Sequence, residues 1–301
     1  MRVNRIILSA LLAMLVVGAA QAQTGTTTQS TPASAVGLGP EGIATDGTSV
    51  FVANQFSDTV TKLRASDGSV VGSYTVGHRP VAVAFDGAFF WVANYLSNNV
   101  MKLDASGAVV ATYATGDGPG GILATNGNIW VANRNANTLT KLRASDGLTL
   151  GTYEVGERPI SMTTDGKHIY VTNNNSDSVT KLSESNGVVV SVFPVGDGPF
   201  GIAFDGGSLW VANFGSNNVM KLTAEGMLAG TYKVGDGPLS AAFSEGVIYV
   251  VNNGGDSVTK LNALDGTSLG SISVGRGPVG LVVSGKNVWV TNSGGNSVTK
   301  R

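Results

Sequence analysis

The sequence predicts an all-β fold, a seven-bladed β-propeller of four-stranded antiparallel blades, on three observations. A segment of about 40 residues recurs seven times, each copy divides into four short strand-like runs, and the last copy stops one strand short. Copies begin at Val36, Val76, Thr115, Val155, Val195, Val234 and Val274, with spacings of 40, 39, 40, 40, 39 and 40 residues. A fixed period of this length with four strands marks a propeller blade. A helical solenoid would need apolar residues at helical spacing, which the copies lack.

The first 22 residues read as a signal peptide. Arg2 and Arg5 form a basic start, residues 6–20 an apolar run, and Ala20-Gln21-Ala22 a small-x-small cleavage site. That run falls short of the roughly 20 apolar residues a spanning helix needs, and no later stretch reads as a transmembrane segment. The mature chain, residues 23–301, is expected to be exported to the periplasm or the extracellular space. Within each copy, strand a is the Ile-Ala-Phe-like run, closed by a turn such as Asp86-Gly87. Strand b is aromatic-Val-x-Asn, strand c is Val-x-Lys-Leu, and strand d is the Gly-Thr-Tyr-like run after turns such as Asp146-Gly147. Strands a and b are apolar on both faces, which suits a sheet packed between two neighbours. The seventh copy, residues 274–301, ends after strand c. Residues 24–35 are the missing length and are expected to supply strand d of blade 7, closing the ring. Pro32 is tolerable there because strand d is an outer edge.

Residues present in every copy read as scaffold. A loop Gly (Gly37, Gly77, Gly116, Gly156, Gly196, Gly235, Gly275) precedes a Pro by three positions and sets the crossing between blades. The strand b aromatic fills the space between blades. The Asn ending strand b (Asn54, Asn94, Asn133, Asn173, Asn213, Asn252, Asn292) is expected to bond local backbone. The strand c Lys (Lys62, Lys102, Lys141, Lys181, Lys221, Lys260, Lys300) is expected to pair with turn aspartates or extend to solvent.

Tyr170-Val171-Thr172-Asn173 and Trp289-Val290-Thr291-Asn292 resemble the YVTN β-propeller repeat. The Gly-Pro-x-Gly-Ile-Ala-x-Asp-Gly stretches are similar to those of NHL-type and streptogramin lyase-type propellers. The resemblance covers residues 36–301 and implies the propeller fold. It spans surface proteins, binding proteins and a few enzymes, so it implies no one activity. Lyase-like chemistry in such families implies clustered His and Glu around a metal. Lactonase-like propellers imply a divalent cation on oxygen ligands near the axis, for which Glu41 and nearby loop acids are the candidates.

Composition and spacing narrow the rest. Charged residues are 13% of the chain and there is no cysteine, which removes disulfide, thiolate and thiol chemistry. Loss of Arg2 and Arg5 would take the formal charge from −1 to −3, a poor basis for nucleic-acid binding. Gly37-Leu38-Gly39-Pro40-Glu41-Gly42 matches a dinucleotide fingerprint, but it carries a proline and leads into a strand rather than a helix. Gly266-Thr267-Ser268-Leu269-Gly270 matches a nucleophile elbow, but Ser268 falls in strand d. His78 in a d–a loop and His168 in an a–b turn belong to opposite faces, about 17 Å apart over a five-residue strand, too far to share a metal.

A site is therefore sought where the copies differ. Two positions after the loop Gly, five copies carry Gly and two carry Arg79 and Arg158. With Tyr95 and Arg134 of the b–c loops, and with His78 and Glu157 beside the arginines, blades 2 to 4 make a cationic candidate site on the d–a/b–c face. Such a group suits a small anionic ligand, a glycan or an acidic protein surface. The first reading is a monomeric, non-enzymatic binding or surface-interaction protein without a cofactor. The second is a metal-dependent hydrolase or lyase of lactonase type, with a divalent cation near Glu41.

Overall fold

Strand b is apolar at nearly every position because it is covered on both faces. In blade 1, Ser49–Asn54 is buried throughout, flanked by Pro40–Thr45 as strand a and Thr59–Arg64 as strand c, with Val70–Thr75 at the outer edge. The computed structural model describes residues 33–301, which form seven such four-stranded antiparallel sheets in the order a-b-c-d. Residues 1–32, including the expected signal peptide and most of the stretch 24–35, lie outside the described residues.

The closing blade is composite, as the repeat length required. Ser34–Ala35 pairs with Ser297–Lys300, Ser34 opposite Val298 and Ala35 opposite Ser297. The Ser34 hydroxyl donates to Gly68 O in blade 1 at 2.6 Å, so the segment also ties blade 7 to blade 1. Trp289 of blade 7 packs with Val50, Val52 and Leu63 of blade 1, and Trp210 packs with Ile248, Val250 and Leu261 of blade 6. The strand b aromatics thus fill the wedges between blades.

Three sets of repeated residues hold the ring together, the first within each blade and the other two between neighbouring blades. The strand b Asn bonds side chains rather than the expected local backbone. Asn54 Nδ2 donates to Thr59 Oγ1 at 3.1 Å and Thr61 Oγ1 at 2.9 Å, and Asn94 Nδ2 to Asn99 Oδ1 at 2.8 Å. At Asn292 the carboxamide oxygen also accepts from the Gly275 amide at 3.0 Å. The loop Gly lies flat on this Asn, and a Cβ at Gly77 would stand 2.6 Å from Asn94 Cγ.

The strand c lysines also differ from expectation. Lys102 Nζ donates to Ala144 O of the next blade at 2.7 Å, Lys141 to Glu184 O at 2.6 Å and Lys221 to Ala263 O at 2.7 Å. Lys300 closes the circle on Ala65 O at 2.9 Å and Ser66 O at 2.7 Å. Six of the seven ammoniums, all but that of Lys260, also lie over their own strand b aromatic, 5.0 Å from the ring centre in Lys221 over Trp210. A backbone carbonyl with no side-chain carboxylate is the better partner here, because the turn oxygens point into the gap between blades.

The third set is a further repeated position. Four residues after the strand b Asn, each copy has Asp or Asn in the left-handed region, for example Asp58 at φ 53° and Asn296 at φ 47°. Its side chain caps the next blade's d–a loop: Asp58 Oδ1 accepts from Arg79 N at 2.8 Å, and Asn296 Oδ1 from Gly39 N at 2.9 Å across the closure.

Candidate functional site

Strand a of every blade enters the axis at its Pro and pairs irregularly with strand b over its first residues, as between Pro40 and Ile43. A bulge of this kind re-aims side chains, and here the residue after the Pro points into the axial space. Five of these seven residues are apolar: Val81, Ile160, Phe200, Leu239 and Val279. The other two are Glu41 and Gly120. The next tier is small because the strands crowd: a Cβ on Gly201 would lie 2.7 Å from the backbone of Ala241. The tier below is apolar again, with Ile43, Val83 and Ile202 among it. Together they enclose a cavity of about 290 Å³ that begins at the d–a/b–c face.

Arg134 reaches this space because position 120 has no side chain. A Cβ at Gly120 would collide with Arg134 Nε, Cδ and Cγ. The guanidinium lies across that glycine, with Nη2 donating to Gly120 O at 3.0 Å and standing 3.6 Å from Glu41 Oε1. Both side chains are largely buried, 13% and 16% exposed. Arg134 Nε is buried and has no hydrogen-bond partner among the described residues. Burial pushes Glu41 above the usual carboxylate range, against the pull of Arg134 and Arg79. Burial also pulls Arg134 below its usual range, and Arg158 adds to that while Glu41 opposes it. Neither charge is fully compensated by the other.

Around this pair stand the other residues expected from the sequence. Arg79 stacks on Tyr95, 4.8 Å from the ring centre, and its Nε donates to Gln55 Oε1 at 3.3 Å. The Tyr95 hydroxyl donates to Asn135 Oδ1 at 2.9 Å. The Arg158 side chain is exposed, with no partner among the described residues. Arg79 and Arg158 both hold φ near 54°, where the sibling blades have Gly at 59–65°. A side chain in this region costs on the order of 1 kcal/mol, and such strain gathers at functional positions.

His78 is turned to Asp58, with Nδ1 2.8 Å from Oδ2, and is 77% exposed. Glu157 is exposed, and its amide donates to Ser176 Oγ at 2.6 Å. Neither touches the Glu41–Arg134 pair. His168 is held by Asp165 at 2.9 Å, so the two histidines are held by different aspartates. Among the described residues no three His, Asp or Glu side chains are placed to hold a metal. The Glu41 carboxylate faces arginines instead of other carboxylates, a donor set that repels a divalent cation. Gln55, Asn135 and Gly120 were not anticipated; Gly120 was legible as the one copy lacking a side chain where its siblings carry Glu or an apolar residue.

The fold and mouth define a seven-bladed β-propeller with a charged pair at one edge of an apolar axial cavity. No family model and no curated protein matches the sequence. Among solved structures, the chain is similar to streptogramin B lyase at TM-score 0.78 and 20% identity, over 89% of this chain and 96% of that one. It is similar to virginiamycin B lyase from Staphylococcus aureus at TM-score 0.77 and 18% identity, over 89% and 98%. Hydrazine synthase from Kuenenia stuttgartiensis matches at TM-score 0.79 and 22% identity, over 94% and 99%. At these identities the likeness is one of fold.

Proposed function

We propose that this is an exported propeller of YVTN type whose d–a/b–c face binds an anionic group at the axial mouth, without catalysis. The supporting observation is the pair Arg79 and Arg158, held in a left-handed conformation that the five sibling blades leave to Gly. A scaffold has no need of these side chains: the capping bond from the preceding blade is made to the backbone amide in every case, as at Gly118 from Asn98 at 2.9 Å. Arg134, buried with a free Nε, adds a third guanidinium to the same quarter of the ring. Three forked donors on neighbouring blades suit carboxylate or phosphate oxygens. Among the described residues no His, Asp or Glu cluster supports the lyase-like reading, and this site does not carry it.

The test restores the repeat. A variant with Arg79→Gly and Arg158→Gly should fold as the wild type and melt at the same temperature or higher, since strain is relieved. Calorimetric titration with benzoate and with inorganic phosphate at low salt should show binding to the wild type. The variant should bind at least tenfold more weakly. Equal affinity in both proteins would overturn the assignment.

A further inference from the structure

We propose that the anion is a small monocarboxylate with an apolar body, whose carboxylate takes Glu41's place on Arg134 while the body enters the axial cavity. This rests on the anion-binding reading above and goes further, to the class of ligand.

The walls carry the argument. Glu41 and Arg134 occupy one edge of the uppermost tier, and Val81, Ile160, Phe200, Leu239 and Val279 make up the remainder. Phe214 extends this apolar side onto the face, its ring 6.1 Å from Phe200 and 44% exposed. A phosphate dianion would bring two charges beside the Glu41 carboxylate and should bind more weakly than a monocarboxylate. An alkyl or aryl carboxylate matches both halves, and about 290 Å³ lies near the lower limit of ligand pockets. Arg134 lines the cavity beside Glu41 and would take the head; its buried Nε has no partner among the described residues.

Glu41 then stands where the ligand's carboxylate would bind on Arg134. The charged and titratable groups around it are Arg134 from the blade 3 b–c loop and Arg79 from the blade 2 d–a loop. Arg158 of blade 4 and Tyr95 of blade 2 act on Arg134. The Thr291 hydroxyl of blade 7 bonds the Glu41 backbone oxygen at 2.7 Å and keeps that strand in place. Two carboxylates at one guanidinium cannot both stay ionised cheaply. The entering ligand keeps its charge on Arg134, and Glu41 takes a proton from solvent. Binding is thereby coupled to proton uptake and tightens as pH falls towards the acidic range.

The experiment is calorimetric titration of the whole mature protein with acetate, butanoate and hexanoate. It is run at about pH 5.5 and 7.5 in buffers of different ionisation enthalpy. Affinity should rise about fourfold per buried methylene, the equivalent of about 0.8 kcal/mol. Proton uptake should accompany binding at pH 7.5. Glu41→Gln should bind hexanoate more tightly at that pH and lose the proton uptake. Equal affinities for acetate and hexanoate, with loss in the Arg79→Gly, Arg158→Gly variant, would overturn the apolar-body inference and leave the anion site standing. A chain-length effect without proton uptake would overturn the displacement of Glu41. Absence of binding by all three acids and by phosphate would overturn both readings.

Discussion

Consider Lys102 changed to methionine, with Lys260→Met as its internal control. Lys102 is 5% exposed and donates to Ala144 O at 2.7 Å, with its ammonium 4.1 Å above the Phe89 ring and 5.2 Å above Trp91. A hydrogen bond from a charged donor is worth about 1.5–3 kcal/mol, and a cation over an aromatic face about 0.5–2 kcal/mol. Methionine keeps most of the apolar stem and spares the desolvation of an ammonium, which returns part of the loss. The balance is a destabilisation of about 2 kcal/mol. Lys260 occupies the same repeat position but makes no hydrogen bond or ring contact among the described residues. Its neighbour is blade 7, whose strands c and d come from opposite ends of the chain and are not joined by a turn. Among the described residues no turn carbonyl faces it, so Lys260→Met should change stability by less than about 0.5 kcal/mol. Urea unfolding followed by tryptophan fluorescence measures both. Equal losses at the two positions would show that the lysines act through their stems and not through the clamp between blades.

Gly77→Ala should destabilise by about 2–3 kcal/mol in the same assay, because the new Cβ meets Asn94, whose position is set by its bond to Asn99. A variant beginning at residue 36 loses the pairing of Ser34–Ala35 and uncovers Val298 and the edge of Trp289; about 2 kcal/mol should go with it, read as a lower urea midpoint. Gly120→Ala should leave the melting temperature within a few degrees of wild type while expelling Arg134 from the axis, so that benzoate titration shows binding weakened at least tenfold. Glu41 is raised above its ordinary 4.5 chiefly by burial. The folded protein therefore holds that proton more tightly than the unfolded chain. The stability this supplies is complete below the ordinary value and fades as pH rises through the raised one. Glu41→Gln should accordingly gain on wild type as pH rises above the ordinary 4.5, as measured by urea midpoints at a series of pH values.

Blade number, strand order and the composite closure were all legible, because the repeat converts one local pattern into seven independent statements of it. What the repeat could not convey was direction. Lys62 and Asp58 are conserved in type across the copies, but their partners, Ala105 O and Arg79 N, lie some 43 and 21 residues away in the next blade. Nothing in a single copy distinguishes a lysine that reaches an aspartate in its own turn from one that crosses a gap. The same holds for the site. Arg79, Tyr95 and Arg134 stood out as departures from the repeat. That Arg134 turns inward, while His78 turns away to Asp58, depends on a missing Cβ at Gly120 and on an aspartate one blade earlier.

The departures are informative in proportion to what the scaffold gives up for them. At the position of Arg79 and Arg158 the backbone is left-handed in all seven blades, so glycine is the residue the fold itself prefers. At the position of Glu41 the fold prefers an apolar side chain, and a buried carboxylate stands there with one guanidinium to answer it. At position 120 the fold gives up a core side chain to admit that guanidinium. Each substitution alone lowers stability or leaves it no better. They gather at one edge of one cavity, on blades 1 to 4, and Phe200, Leu239 and Val279 keep the opposite edge apolar. Random drift over a seven-fold repeat would scatter such losses around the ring. They lie beside the only ion pair between non-adjacent blades among the described residues, the arrangement that the proposed anion site accounts for.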